Sequence, residues 1–247
     1  MRTEECERKM AEKQLYRVIN PIEERIGEEV DAVSRSLSPR IYKTKELSPV
    51  FNLIVDFWRE EEVQLATAVQ AIVLLPSYFD KLNIALEQHK EFFELRYVNS
   101  KESKPLVETE KIRNLAIRYL QCGVKMNMDD GCYIWEYLWE LVRQAKYLNC
   151  ISRYNCLFAF ENRADAEKYL KERIKENPLH AIDKICRVDI KYSERQEVYD
   201  MRWLDEIEIF AKYDEYINAA DNYWSGKMTK TPLKEVLFQG TYCLRNI

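Results

Sequence analysis

The chain has 247 residues, of which 47% are hydrophobic, enough for a substantial core and too apolar for a disordered tail. Five glycines and seven prolines are few for an all-β sandwich built on tight turns, whereas 32% charged residues suits helices with solvated faces. A formal net charge of -4 excludes a general basic coat for nucleic acid and leaves only local contacts open.

Residues 1 to 13 are polar and predict a frayed helix, after which Gln14-Leu15-Tyr16-Arg17-Val18-Ile19 reads as a short strand ending at Asn20-Pro21. Residues 22 to 46, with Ser34-Arg35-Ser36-Leu37-Ser38-Pro39-Arg40, predict a long loop with one helical turn. Ser34, Arg35, Arg40, Lys43 and Lys45 would give that loop a local basic rim, against the plainer expectation of a solvated loop.

From about 47 to 148 the apolar period becomes helical. Phe51, Ile54, Val55 and Trp58 follow i, i+3, i+4, i+7, and Trp135, Leu138, Trp139 and Val142 repeat the pattern. Ser77 to Leu95 and Ile112 to Leu120 supply further helices, with Lys101 to Pro105 as a polar break, so the block is expected to hold four or five helices. No fixed-period repeat is present, which disfavours a solenoid.

The strand signal returns after Cys150. Ser152-Arg153-Tyr154 stands at the entry to a strand, Cys156 to Phe160 reads as buried strand, and Arg163 to Lys175 reads as a helix turning Ala166, Tyr169, Leu170 and Ile174 inward. Ile185 to Ile190 alternates like a strand, 203 to 224 is helical, and Glu235 to Leu244 forms the last strand. The fold class is therefore α+β, with strand-forming ends separated by a helical block.

Several chemistries drop out. The two histidines, His89 and His180, have no second histidine or cysteine at i+3 or i+4. The five scattered glycines form neither a P-loop nor a dinucleotide fingerprint. Asp129-Asp130 and Glu60-Glu61-Glu62 read as solvated acidic faces more readily than as cation sites, so no metal is expected. Seven cysteines without a Cys-x-x-Cys pair argue for reduced thiols and a cytoplasmic protein. Cys150 and Cys156 read as packed thiols, since no catalytic base stands near them in sequence. The longest apolar run, Ala71 to Leu75, is too short to cross a bilayer, and the charged N-terminus is unlike a secretory signal, so no membrane role is expected.

The residues that remain lie on three separate segments: Tyr16-Arg17, Ser152-Arg153-Tyr154 and Glu235. An Arg-Ser-Glu order over three strands resembles the ADP-ribosyltransferase superfamily. Glu235-Val236-Leu237-Phe238-Gln239-Gly240 is similar to the terminal glutamate strand of its toxin-like members. Ser152 to Phe160 with the helix after it resembles the middle strand and helix of bacterial members, and Asp200 to Leu204 and Ala219 to Gly226 look like segments of uncharacterised ones. The resemblance covers 14 to 20 and 150 to 247.

It implies one ADP-ribosyltransferase-like domain over 1–247, with a split β-sheet core and 47–148 as a helical insertion between 14–20 and 150–247. It also implies NAD as substrate and a protein, DNA or RNA acceptor. A toxin or anti-phage defence role would bring a neutralising or regulatory partner. Glu235 and Arg17 would be catalytic, with Tyr16, Arg17, Ser152, Arg153, Tyr154 and Tyr223 holding the cofactor and Trp224 as a further stacking candidate. Position 233 is Leu, where arginine- and asparagine-modifying members have Gln or Glu, so the acceptor class stays open.

The chemistry fits these residue types independently. Cleaving nicotinamide from ribose generates an oxocarbenium-like sugar, which a carboxylate and hydrogen bonds to the 2-hydroxyl stabilise. A guanidinium grips phosphate or ribose through planar donors, a serine orients hydroxyls, and an aromatic ring stacks on nicotinamide. The other reading is a non-catalytic interaction module, in which the Tyr- and Trp-rich helical block binds a protein partner.

Overall fold

The computed structural model describes residues 14–34, 39–95, 106–205, 207 and 211–247, without the side chains of residues 39–41, 128, 129 and 132. The N-terminal segment 1–13, the break at 101–105 and Arg35 lie outside the described residues, as does the Arg40 side chain. The protein is α+β and divides into two compact units. One takes its described residues from within 1–37, Arg143–Leu204 and Asn222–Ile247, the other from Ser38–Val142 and Asp205–Asp221.

The first unit is built on β1 (Leu15–Ile19), β2 (Glu29–Asp31), β5 (Leu157–Ala159), β6 (Lys184–Asp200) and β7 (Lys234–Asn246). β6 and β7 form a long antiparallel ladder, from Cys186 opposite Asn246 to Asp200 opposite Lys234, with irregularities at Ile190/Tyr192 and Ser193/Arg195. Gly240 stands opposite Ser193 beside these bulges. On its other edge β7 pairs with β5 before Gly240, through Val236 to Phe238, and with β2 after it, through Thr241 to Cys243. The long ladder is thus bent at its middle and serves two short partners.

β1 pairs with β6 through Arg17 opposite Cys186. Its other edge reaches Phe160 by two backbone hydrogen bonds, Tyr16 N–H to Phe160 at 2.8 Å and Phe160 N–H to Tyr16 at 2.7 Å. The sheet thereby closes as a ring of β1, β6, β7 and β5. Leu15, Ile19, Leu157, Ala159, Val188, Val236, Phe238 and Leu244 fill its core. Against the outside lies α5 (Arg163–Glu176), opened by the Asn162 side chain accepting from the Asp165 N–H and closed by Arg173 and Lys175 in the last turn.

The second unit holds α1 (Pro39–Glu61), α2 (Leu65–Glu87), a two-stranded ladder of β3 (Phe92–Glu94) and β4 (Leu106–Glu108), α3 (Thr109–Cys122) and the start of α4 (Ile134–Lys146). Phe51, Ile54, Val55, Trp58, Leu138, Trp139 and Val142 are all buried, as their spacing requires. Segment 205–221 joins this unit through α7 (Tyr213–Trp224), because Tyr216 packs against Trp58, Trp135 and Trp139 with ring centroids 4.9 to 5.7 Å apart. The unit boundary falls inside α7, which leaves Tyr223 and Trp224 to the first unit.

Several elements depart from the sequence expectation. The loop expected over 22–46 contains β2 and the first turns of α1. A three-residue strand that buries only Val30 has too little alternation to read, and Pro39 is tolerated at a first helical position because it needs no N–H there. Lys43 and Lys45 therefore stand on a helix and not on a loop rim. Pro49, deeper in α1, cannot donate to the Lys45 carbonyl, and the Ser48 hydroxyl does so instead at 2.9 Å. The helix expected from Ser77 to Leu95 runs from Leu65 to Glu87 and is followed by β3. The helix expected over 203–224 is two helices, α6 (Arg202–Asp205) and α7, and Ser152 to Tyr154 is not strand but the cap and start of a 3-10 turn.

Asp200, fully buried at the end of β6, ties the turn into β7 together. It accepts from the Thr229 N–H and hydroxyl, both 2.7 Å, the Leu233 N–H at 2.9 Å and the Arg202 N–H at 3.1 Å. Burial works against its charge, but these donors outweigh it and lower its pKa below the usual carboxylate value. A depressed folded-state pKa stabilises fully above the unfolded value, and the contribution is lost as pH falls through the folded value. Asp200→Asn is therefore expected to cost about 3 kcal/mol in urea unfolding at pH 7, and the gap from wild type should shrink below about pH 4. A gap that stayed constant down to acid pH would contradict this role.

Candidate active site

The first unit brings one carboxylate, one guanidinium and one phenol into direct contact. Glu235 is the second residue of β7 and Arg153 opens the 3-10 turn Arg153–Asn155, while Tyr223 closes α7. Their exposures are 4%, 6% and 0%. Arg153 Nη1 donates to Glu235 Oε1 at 2.5 Å and to the Tyr223 hydroxyl at 2.7 Å, and that hydroxyl donates to the same Oε1 at 2.6 Å. All three bonds of this triangle avoid Oε2, and no other described residue bonds to it.

Local structure explains the placement of Arg153. The Ile151 N–H donates to Glu197 Oε2 at 2.7 Å, Arg195 links the Asn149 carbonyl to Glu197, and Arg143 Nη1 donates to the Leu148 and Cys150 carbonyls at 3.2 and 3.0 Å. The Ser152 hydroxyl accepts from the Tyr154 N–H at 3.2 Å and so caps the turn. The guanidinium carbon then lies 4.6 Å from the Phe158 ring centroid and 5.5 Å from that of Tyr223.

The Tyr223 ring is stacked on Tyr199 at 4.7 Å and meets Trp224 edge-on at 4.9 Å. With both rings taken up in this cluster, Tyr223 and Trp224 are core residues, and Tyr223 reaches the site through its hydroxyl instead of offering a stacking face. Burial pushes the phenol well above its ordinary pKa; Arg153 opposes and Glu235 adds to the rise, so the hydroxyl keeps the proton it donates. Burial likewise raises Tyr199, which donates to Glu197 Oε2 at 2.8 Å, with Cys150 and Glu197 adding to the rise.

Arg17 comes to the same strand pair by another route. Its Nη1 donates to the Phe158 carbonyl at 2.7 Å, while Nε and Nη2 grip both oxygens of Glu24 at 2.7 and 3.0 Å. Burial works against its charge, yet the Glu24 carboxylate prevails and the pKa is raised. Glu24 is presented by a turn in which the Asn20 carbonyl accepts from the Glu23 and Glu24 N–H groups. Arg17, Phe158, Arg153 and Glu235 therefore form one chain of contacts. Three of the five guanidinium N–H groups of Arg17 are used, one on the Phe158 carbonyl and two on Glu24.

Tyr16 does not share the Arg17 face. Leu15, Arg17 and Ile19 are the buried members of β1, whereas Tyr16 and Val18 pack with Phe160, Ala166 and Leu233 under α5. Tyr154 lies within the turn that Ser152 caps and is half-buried. Of the sequence candidates, Arg153, Tyr223 and Glu235 meet directly and Arg17 joins through Phe158. Ser152 serves as a cap. Phe158, Tyr199, Glu24 and Glu197 complete the arrangement, and no short motif in the sequence marks them.

Among the described residues no group of three or more His, Cys, Asp or Glu side chains forms a metal cluster. Asp130 is engaged with the Asn127 N–H at 2.9 Å and Glu61 with Lys111 at 3.0 Å. The five described cysteines with placed side chains are free thiols. No helix among the described residues is long and apolar enough to cross a membrane.

A family model described as a protein of unknown function, DUF2441, matches residues 52–245, most of the chain. The chain belongs to the DUF2441 family. No curated protein matches the chain. The DUF2441 match takes in Arg153, Tyr223 and Glu235 and leaves Tyr16 and Arg17 outside its span.

Proposed function

We propose that this DUF2441 protein is an NAD-dependent ADP-ribosyltransferase that transfers ADP-ribose to a macromolecular acceptor, as a toxin or defence effector would. The observation that carries the reading is Glu235, a carboxylate fixed through Oε1 by Arg153 and Tyr223 with Oε2 unbonded by any described residue. In this reading the closed sheet, bent at Gly240, is the split core of that superfamily.

Glu235 Oε2 accepts a hydrogen bond from the ribose 2-hydroxyl and its charge stabilises the oxocarbenium-like sugar as nicotinamide leaves. Arg153 and Tyr223 hold the carboxylate still, so that no reorganisation is needed when charge develops. Arg17 keeps two N–H groups for a phosphate or ribose oxygen while Glu24 fixes its plane. Ser152 contributes by capping the turn that delivers Arg153.

The test is incubation of the full chain with NAD labelled in its adenosine half and separate protein, DNA and RNA pools. Label is expected in one pool, together with free nicotinamide, and both are expected to vanish with Glu235→Gln. Neither label nor nicotinamide in any pool would overturn the reading and leave a binding role as the better account.

A further inference from the structure

Between the end of α7 and the start of β7 the chain carries three lysines, Lys227, Lys230 and Lys234, and residues 222–234 include no acid. Both ends of this loop belong to the candidate site, since the Tyr223 hydroxyl donates to Glu235 Oε1 at 2.6 Å and so closes it. The loop is also fixed from inside. Trp203 Nε1 donates to the Lys227 carbonyl at 2.7 Å, and the Met201 N–H donates to the Leu233 carbonyl at 3.0 Å. Asp200 takes the Thr229 hydroxyl and the Thr229 and Leu233 N–H groups.

These bonds engage the backbone and leave the lysine charges unanswered. Lys227 and Lys230 are exposed and Lys234 is half-buried. Lys227 Nζ lies 5.6 Å from the Trp203 ring centroid and donates to Asn222 Oδ1 at 3.2 Å, both neutral partners. None of the three lysines pairs with a carboxylate among the described residues. Asp200, the acid nearest to the loop backbone, is fully buried and engaged by the donors described above. Elsewhere on the β6–β7 ladder the cations are neutralised, since Arg187, Lys191 and Arg245 converge on Asp189 at 3.3 to 3.8 Å.

Positive charge held on an ordered loop attracts a polyanion, and the composition of the loop favours phosphates over an acidic protein surface. Lysine, serine and threonine are side chains that contact a nucleic-acid backbone, whereas lysine and serine are depleted from protein interfaces, whose centres are apolar and aromatic. The loop's exposed large apolar side chain is Met228, at 39%. We propose that this loop holds a nucleic-acid strand by its phosphates and, resting on the transferase reading above, presents that strand to Glu235 as the ADP-ribose acceptor.

The test is fluorescence anisotropy of the full chain, without NAD, against labelled single strands of RNA and of DNA and against labelled polyglutamate. Binding to a strand is expected to weaken with salt. The triple variant Lys227→Gln, Lys230→Gln, Lys234→Gln is expected to bind at least about tenfold more weakly, with the slope of log affinity against log salt reduced by about two. The same charge change at Lys168, Lys171 and Lys175, exposed positions of α5, is expected to cost less than about twofold. The strand bound more tightly identifies the acceptor as RNA or DNA. Binding to neither strand, equal losses in the two triple variants, or polyglutamate bound as tightly as the strands would overturn the proposal. A wild-type chain that binds a strand but releases no nicotinamide from NAD would instead overturn the transferase reading, leaving the strand a bound partner and not an acceptor.

Discussion

Replacing Arg153 with methionine is expected to destabilise the protein by about 3–5 kcal/mol, because it removes one partner of a buried ion pair and keeps the other. Glu235 is 4% exposed and would be left with the Tyr223 hydroxyl as its one described donor. Methionine keeps an unbranched stem over the Phe158 ring, so the loss reports on charge and hydrogen bonding more than on packing. Adding Glu235→Gln removes the orphaned charge, and the double variant is expected to be more stable than Arg153→Met alone. Urea midpoints of the four proteins measure this. Additive losses would show that Arg153 and Glu235 do not act as a pair.

Gly240→Ala is expected to cost about 4 kcal/mol or more, enough to unfold much of the population in mild denaturant. Gly240 has φ 138°, which L side chains rarely adopt, and a Cβ there would collide with the Tyr192 backbone carbonyl oxygen and press on the Phe238 ring at 3.0 Å. The carbonyl cannot withdraw freely, since Tyr192 sits in the bulged ladder with Thr241 as its partner. Gly27→Ala is the control: φ is 89°, nothing lies within 4 Å, and a cost of only about 1–2 kcal/mol is expected. Equal losses for the two variants would mean that the bend at Gly240 does not shape the sheet.

The elements that were legible in sequence are those whose burial follows one period. β1, β7 and the Ile185 to Ile190 part of β6 alternate or run apolar, and the α1 and α4 stripes repeat at helical spacing, so each buries the face its pattern marks. The rest of β6, on to Asp200, is polar and largely unburied and carries no such pattern. β2 was not legible, because one buried residue in three leaves no alternation to detect. The β3 and β4 ladder is hidden for the same reason, each strand burying a single central residue.

The candidate site divides along the same line. Glu235 and Arg153 stand out as charges at the edges of apolar runs, where a charge has a reason to be. Tyr223 is marked as part of an aromatic pair, but which atom of it matters depends on Tyr199, which stacks on its ring from β6. The alternation of β1 already separates Tyr16 from Arg17, whereas Glu24 and Glu197 are drawn in by turn geometry and by hydrogen bonds to backbone groups far away in sequence. Surface acids and such clamps have the same local sequence, so only the folded chain distinguishes them.

The most direct measurement of the central claim is nicotinamide release from NAD by the full chain and by Glu235→Gln, with circular dichroism establishing that both are folded. The account predicts turnover by the wild-type protein in the presence of its acceptor pool and a loss of about a thousandfold in the variant. Release that is equal in the two proteins, or absent from the wild type with protein, DNA and RNA all supplied, would contradict it.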